Sequence, residues 1–442
     1  MPVFHRKIGP RRRVRRGCRL KCYYLFMALP PSFWLLIATE ALMTAGYSVS
    51  FPFLALYLSG HRGVPMAWVG LFLSLSMLVS AVSQVIGGEI SDVIGRKKVM
   101  VMSLTLRALL IAVIAWVVWS GAGVWAIFVF HPIGMFIGSF FQPAARSWVA
   151  DYVPPAHRMK AYGLLRMGGN AGWAVGPAIG GLLATGSYAL LFGVSAAVYA
   201  VCSVIIFLII KDKPGAARGG DAGFDLRAAV GTLRDKHFLR FCFFTFTMCA
   251  VMSQLVVATS LYSKTYLGFS ERQIGLLFTI NGSLVVLFQY FMTRALEGWR
   301  ITTGLTLGAL CYAAGYLGLG YAASYYFAAA AMVVVTLGEI AVSPGIQALG
   351  ANMAPKAEKG RYLGVQGLFQ QVGSAAGIFI GSNAIQNISP SFQQGPWFLV
   401  AFLACISAAG FWSLGGFLPK DRNGLRPPEP VVTPPTENPE AA

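Results

Sequence analysis

The sequence predicts an all-helical membrane protein: twelve transmembrane helices arranged as two pseudo-symmetric six-helix bundles. Composition is the first reason. Of 442 residues, 56% are hydrophobic and only 12% charged, whereas ordinary soluble proteins carry about 25% charged residues. The second is a series of apolar runs, each long enough at about 1.5 Å per residue to cross a hydrocarbon core of about 30 Å. The third is a duplication. Residues 143–181, PAARSWVADYVPPAHRMKAYGLLRMGGNAGWAVGPAIGG, return in spacing 201 positions later at 344–382, so that Pro143, Pro154, Gly163, Gly172, Gly176 and Gly180 fall on Pro344, Pro355, Gly364, Gly373, Gly377 and Gly381. No alternating barrel pattern appears, so the spans are helices.

Taken in order, residues 1–26 form a basic cytoplasmic tail, rich enough in arginine to touch anionic lipid headgroups. Apolar segments follow at approximately 31–59, 67–91, 98–119, 123–148, 163–184 and 188–210, making an N-terminal six-helix bundle over 27–212. Residues 213–235 are a cytoplasmic linker. Its Gly/Ala/Pro-rich start is flexible, and Phe224, Leu226, Val230, Leu233 and Phe238 share one face of a helix at the membrane surface. Six more segments, at approximately 240–265, 272–293, 301–322, 325–350, 363–385 and 397–418, make the C-terminal bundle over 236–418. The tail 419–442, with its PPEPVVTPPTENP run, reads as disordered and cytoplasmic.

A net charge of +19 suggests nucleic acid at first, but the basic residues sit in the short connections. The termini and the even-to-odd connections hold 29 Lys/Arg, and the opposite face holds only Arg62, Lys264 and Arg272. By the positive-inside rule both termini are cytoplasmic, and the short loops suit a bacterial inner membrane. Five of the seven cysteines lie inside apolar spans as small hydrophobes. There is no metal-ligand spacing, phosphate loop or nucleophile–base pair, so no metal, no cofactor, no enzyme and no nucleic-acid partner is expected. A parallel repeat of a membrane unit is a recurrent architecture of secondary transporters, whose substrate site lies between the halves.

Two motifs carry mechanism. GGEISDVIGRKK, residues 87–98, ends the second span: Gly88, Asp92, Gly95, Arg96 and Lys97 resemble the signature loop of the major facilitator superfamily, with Val93 where that family has arginine. The plain alternative is positive-inside topology alone. The resemblance implies that Asp92 meets the N-terminus of the eleventh helix, where aligned peptide dipoles favour an anion. It also implies that Arg96 pairs with Asp151 and that such pairs hold the cytoplasmic side closed; Arg166, early in the fifth span, is close enough to the Asp151 end of the bundle to belong to the same network. In the fifth span, Gly163, Gly172, Gly176, Pro177, Gly180 and Gly181 resemble the superfamily's antiporter motif at every position. Glycines four apart make a smooth stripe for close helix approach, and Pro177 bends the helix. GYSVSFPFLALYL, residues 46–58, and LGEIAVSP, residues 337–344, agree with the twelve-span drug:proton antiporter branch, close to bacterial multidrug-resistance proteins.

Polar groups inside a membrane are costly and therefore functional candidates. Glu40 lies about 13 Å inside the first span, with Thr44, Tyr47 and Phe51 following on its face. Burial disfavours the charged form of a carboxyl, as a proton carrier requires. Glu40 is the first candidate for proton coupling, against a structural acid or a substrate ligand, and Glu339 in the tenth span is the second. Asn281 with Gln289, and Gln366 with Gln370, put amides on single faces of the eighth and eleventh spans. Substrate recognition and interhelical hydrogen bonding are equal readings for them. Tyr47, Phe51 and Trp173 supply an adaptable apolar surface. His131 reads as a bundle histidine and Arg107 as structural; an anionic-substrate role is the lesser alternative for Arg107 and Arg166.

The expected function is export of a small amphipathic drug-like or metabolite substrate in exchange for protons by alternating access, by a monomer. The alternatives are a facilitator or importer of a small metabolite without proton antiport and, more distantly, a receptor that binds without transporting. The asymmetry of the repeat favours a division of labour. The first copy has Arg146, Asp151, Arg166 and Pro177 where the second has Gln347, Asn352, Gly367 and Ile378, so coupling is expected in the N-terminal half and substrate shaping in the other.

Overall fold

Glycine and proline punctuation divides the apolar chain into helices. The computed structural model describes residues 30–153, 155–211, 231–296, 298–355, 359–420 and 422–424. The basic tail, most of the linker with Phe224, Leu226 and Val230, and the end of the C-terminal tail lie outside the described residues, as does the side chain of Asp92. The first half contains α1 (Pro31–Leu56, continued by a π turn at Tyr57–His61), α2 (Met66–Ile94), α3 (Arg96–Ser120), α4 (Trp125–Gly138), α5 (Phe141–Tyr152), α6 (Pro155–Gly186) and α7 (Tyr188–Ile209). The second contains α8 (Lys236–Met252), α9 (Val257–Thr265), α10 (Glu271–Ala295), α11 (Ile301–Gly320), α12 (Tyr325–Met353), α13 (Lys359–Asn387) and α14 (Gly395–Phe417). No strand occurs among the described residues.

Local chemistry explains the boundaries. Gly95 alone separates α2 from α3, at φ +103°, a conformation L side chains rarely adopt. Asp235 caps α8 through the amides of His237 and Phe238, and Ser270 with Gln273 forms a capping box on α10. The expected fourth span is two helices, α4 and α5. Pro143 lacks the N–H that the Ser139 carbonyl would accept, and the chain turns at Ser139–Phe140. The seventh is also interrupted, at Ser253–Val256 between α8 and α9, where Gln254 turns its amide to the carbonyls of Ala250 and Gly377.

Nine units among the described residues are long and apolar enough to cross a membrane. They are α1 with its π turn, α2, α3, α4 with α5, α7, α8, α10, α12 and α14. The expected spans α6, α11 and α13 fall short because Gly, Thr, Gln and Asn dilute their hydropathy. Trp116, Trp119, Trp125, Tyr326 and Trp412 are exposed on the surface, where a soluble protein would hide such rings but a bilayer accepts them.

The duplication is visible as packing. Gly172, Gly176 and Gly180 set α6 directly on the backbone of α1, where a Cβ at Gly172 would lie 2.1 Å from the Ala41 carbonyl oxygen. Their counterparts Gly373, Gly377 and Gly381 set α13 on α8 and its continuation, where a Cβ at Gly373 would lie 2.4 Å from the Phe246 carbonyl oxygen. At the symmetry-related positions Gly163 and Gly364, nothing among the described residues lies within 4 Å. Between the halves, α6 packs on α10 and α2 on α13.

The face where α1 begins and α14 ends is termed the inner face, and its opposite the outer. The two halves merge near the outer face. One buried apolar cluster runs from Phe53, Leu73 and Leu191 into Leu261, Ile274 and Ile385. The inner half of the first bundle keeps a separate core around Phe33, Trp148 and Tyr199. The molecule is therefore sealed at the outer face and parted towards the inner one.

Candidate functional site

The outer seal is made of close backbone contact and a few polar bonds. Gly181 of α6 faces α10, where its Cβ would lie 2.6 Å from the Glu271 carbonyl oxygen, and Gly275 returns the contact against the Pro177 carbonyl. Tyr188 Oη donates to Glu271 Oε1 at 3.3 Å, and Lys264 Nζ lies 2.8 Å from the same oxygen. Where α2 meets α13, Ser74 Oγ donates to the Ala375 carbonyl at 2.7 Å, and the Ala67 amide donates to Gln386 Oε1 at 2.7 Å.

Below the seal lies a chamber of about 390 Å³, lined by Tyr47, Phe51, Met77, Met135, Trp173 and Met252, with His131, Gln371, Ser374 and three further serines among its polar groups. Tyr47 and Phe51 stack with centroids 4.8 Å apart, and Trp173 stands 6.1 Å from Tyr47. Trp173 and Leu255 also line a wider cavity of about 800 Å³ towards the inner face. Glu40, Thr44, Gln142, Arg146, Arg166, Asn170 and Glu339 are its polar walls. Every charged or amide group among these except Glu339 comes from the first bundle, with α1, α5 and α6 each turning one face inward.

Both acids face the same cavity, and each is held by an amide. Gln142 Nε2 donates to Glu40 Oε1 at 2.7 Å. Asn281 Nδ2 donates to Glu339 Oε2 at 2.7 Å and to Thr336 Oγ1 at 3.0 Å. Asn281 thus stands behind Glu339 rather than on the cavity wall. Gln142 is missing from the candidates that the sequence suggests. Its signal is the i,i+4 spacing to Arg146, which puts two polar side chains on one face of α5 while Ala144 and Trp148 are buried on the other.

The other expected amides are engaged elsewhere. Gln289 Nε2 donates to the Ile340 carbonyl at 3.1 Å. That carbonyl lies four residues before Pro344, whose ring nitrogen has no hydrogen to offer, so Gln289 replaces a missing helix bond. Gln366 is buried and donates to the Ile346 carbonyl at 3.0 Å. Gln370 Oε1 accepts from Gln347 at 3.5 Å. None of these three lines either chamber.

At the inner end of the first bundle, Arg96 Nε lies 3.3 Å from Asp151 Oδ2 and Arg96 Nη1 donates to Ser91 Oγ at 3.1 Å. Lys97 stands over the Phe207 ring at 5.0 Å, and a Cβ at Gly88 would reach Pro143 at 3.8 Å. All of these contacts lie within one bundle. Among the described residues, Arg166 Nη2 donates across to Ser343 Oγ of the second bundle on this side, at 2.9 Å. Arg107 lies over Tyr199 at 4.8 Å and over Tyr47 at 5.5 Å, inside the first bundle. His131 Nδ1 and Ser76 Oγ are 3.4 Å apart.

Two bundles around a central cavity, sealed at one face only, are the geometry of an alternating-access protein. Residues 36–378 match the family model of the Major Facilitator Superfamily. The chain belongs to the major facilitator superfamily. It is a membrane transporter of that family. Its curated relatives include the uncharacterized MFS-type transporter YdeE of Escherichia coli, 25% identical over 365 residues that cover 80% of this chain and 89% of the relative. They also include the multidrug resistance protein MdtH of Klebsiella pneumoniae, 23% identical over 388 residues that cover 86% of this chain and 93% of the relative. Among solved structures, the nucleoside transporter NupG aligns with a TM-score of 0.73 at 13% identity, over 87% of this chain and 99% of its own. A POT family transporter in complex with 5-aminolevulinic acid aligns at 0.72 and 15%, over 88% and 96%. At these identities the structural likeness is one of major facilitator fold.

Proposed function

We propose that this transporter exports a small amphipathic molecule in exchange for protons, across a bacterial inner membrane, with the inner face and both termini in the cytoplasm. The observation that carries the reading is that Glu40 and Glu339, from opposite bundles, line one cavity. α6, α11 and α13 are read as the three spans that complete twelve, and the 29 Lys/Arg of the termini and inner connections orient the inner face to the cytoplasm. Relatives named for multidrug resistance support the direction of transport.

In this reading, substrate enters from the cytoplasm, its apolar part settling against Trp173 and Phe51. Closure of the inner face and opening at Gly181–Gly275 then expose it outward. Protons taken up by Glu40 and Glu339 displace it and are carried back. Gln142 and Asn281 orient the two carboxyls in both protonation states, since an amide donates to either oxygen form.

The experiment is proton exchange in proteoliposomes, read with an internal pH dye while amphipathic dyes, antibiotics and metabolites are offered in turn. Exchange evoked by a transported compound in the wild type, and lost in Glu40→Gln or Glu339→Gln at unchanged folding, is the expected result. Full exchange in the doubly substituted protein would return the chain to the class of uncoupled facilitators.

A further inference from the structure

The wide cavity holds two acids and two arginines, and among the described residues none of the four belongs to an ion pair. The pairs Arg96–Asp151 and Lys264–Glu271 lie at the inner and outer ends instead. Glu40 and Glu339 are bonded by neutral amides through one oxygen each, leaving Glu40 Oε2 and Glu339 Oε1 without a hydrogen-bond partner among those residues. The Arg146 guanidinium has no hydrogen bond or ion pair there either, and Arg166 has a single bond, to the neutral hydroxyl of Ser343. Yet opposite charges are near: Arg146 is within electrostatic range of Glu40, and Arg166 of Glu339.

Their spacing is set by helix geometry. A Cβ at Gly169 would lie 3.7 Å from Glu40 Oε1, so Glu40 sits against α6 three positions from Arg166, about 4.5 Å along the axis. On the facing wall, Ser343 receives Arg166 four positions from Glu339, about 6 Å along α12. Arg166 thus stands about one helical turn along the axis from each of the two carboxylates. With both acids ionised the four groups sum to no net charge, which gives a lone cation or a lone anion little advantage. A ligand carrying one charge of each sign meets a partner for both.

Resting on the reading of this cavity as the transport site, we infer that the substrate is a zwitterionic amphiphile, with an ammonium group met by a cavity carboxylate, an anionic group met by Arg146 or Arg166, and an apolar body lodged beside Trp173. Charge-assisted bonds to a forked guanidinium are strong and directional, and arginine stays ionised throughout the cycle. Protonation of Glu40 or Glu339 removes the partner of the ammonium while leaving that of the anionic group. Proton uptake therefore weakens this ligand, which is the competition that exchange requires.

The test is equilibrium binding to the full chain in lipid nanodiscs, without a pH gradient, using four forms of one aromatic scaffold. These are β-phenyl-γ-aminobutyric acid (zwitterion), its methyl ester (cation), its N-acetyl derivative (anion) and its N-acetyl methyl ester (neutral). The expected result is that the zwitterion binds at least about tenfold more tightly than each of the others. Replacing both arginines by glutamine should transfer the preference to the cation, whereas Arg166→Lys should keep the zwitterion first. Equal or tighter binding of any other form, or no binding of the zwitterion, overturns the inference. Zwitterion preference without proton exchange would defeat the exchange reading and leave this one standing; exchange evoked by the cation alone would do the reverse.

Discussion

Tyr188 Oη and Glu271 Oε1, 3.3 Å apart, join the first bundle to the second at the outer face. The bond lies beside the glycine contact of Gly181 with α10, where no side chain intervenes. In an alternating cycle both must part for the cavity to open outward. Tyr188→Phe removes one hydrogen bond to a charged acceptor, a change of about 1.5 kcal/mol, or roughly tenfold in the balance of open and closed outer states. Spin-label distances between the outer ends of α2 and α13 should lengthen in that variant.

Gly181 makes a sharper version of the same prediction. A Cβ there would lie 2.6 Å from the Glu271 carbonyl oxygen, and backbone cannot move aside as a side-chain tip can. Gly181→Leu should leave a folded protein unable to seal its outer face, with transport lost and outer-face cysteine labelling increased. Gly163→Ala is the control, since nothing among the described residues lies within 4 Å. It should be neutral or stabilising by up to ~1 kcal/mol through helix propensity.

Pro344 and Gln289 should behave as a compensating pair. Gln289→Leu leaves the Ile340 carbonyl without its donor, at a cost of about 1 kcal/mol. Pro344→Ala restores a backbone N–H four residues on and should make the loss of Gln289 nearly harmless. A double-mutant cycle on thermal stability in detergent reads the coupling directly.

Gln142→Leu tests the orienting role of the amide beside Glu40. The carboxyl keeps its place on α1 but loses its one bonded neighbour among the described residues, so proton exchange should fall several-fold while Gln142→Asn retains a part of it. Equal exchange in Gln142→Leu and the wild type would remove this residue from the coupling path.

Much of this architecture can be read from spacing. Glycines repeated every four residues favour close helix packing, and their recurrence 201 positions later marks the duplicated bundle; the contacts of Gly172 and Gly373 are that pattern in space. Helix ends at Gly95 and Asp235 follow equally local rules. The broken spans around Ser139 and Ser253 are harder, because hydropathy does not register a turn inside an apolar run. Amides are the least legible. Asn281, Gln289 and Gln366 look alike in sequence, but one holds Glu339, one repairs a proline gap and one ties α13 to the Ile346 carbonyl of α12. Which of these an amide does depends on the groups brought near from another helix. The Tyr188–Glu271 bond is hidden for the same reason, joining residues 83 positions apart.

Export driven by protons passing through Glu40 and Glu339 is tested most directly by imposing a pH gradient on proteoliposomes and following a transported member of the amphipathic panel. Uphill movement that stops on adding a protonophore, and that is absent in the Glu40→Gln/Glu339→Gln protein, is the predicted result. Uphill movement that persists under the protonophore, or in the doubly substituted protein, would contradict it.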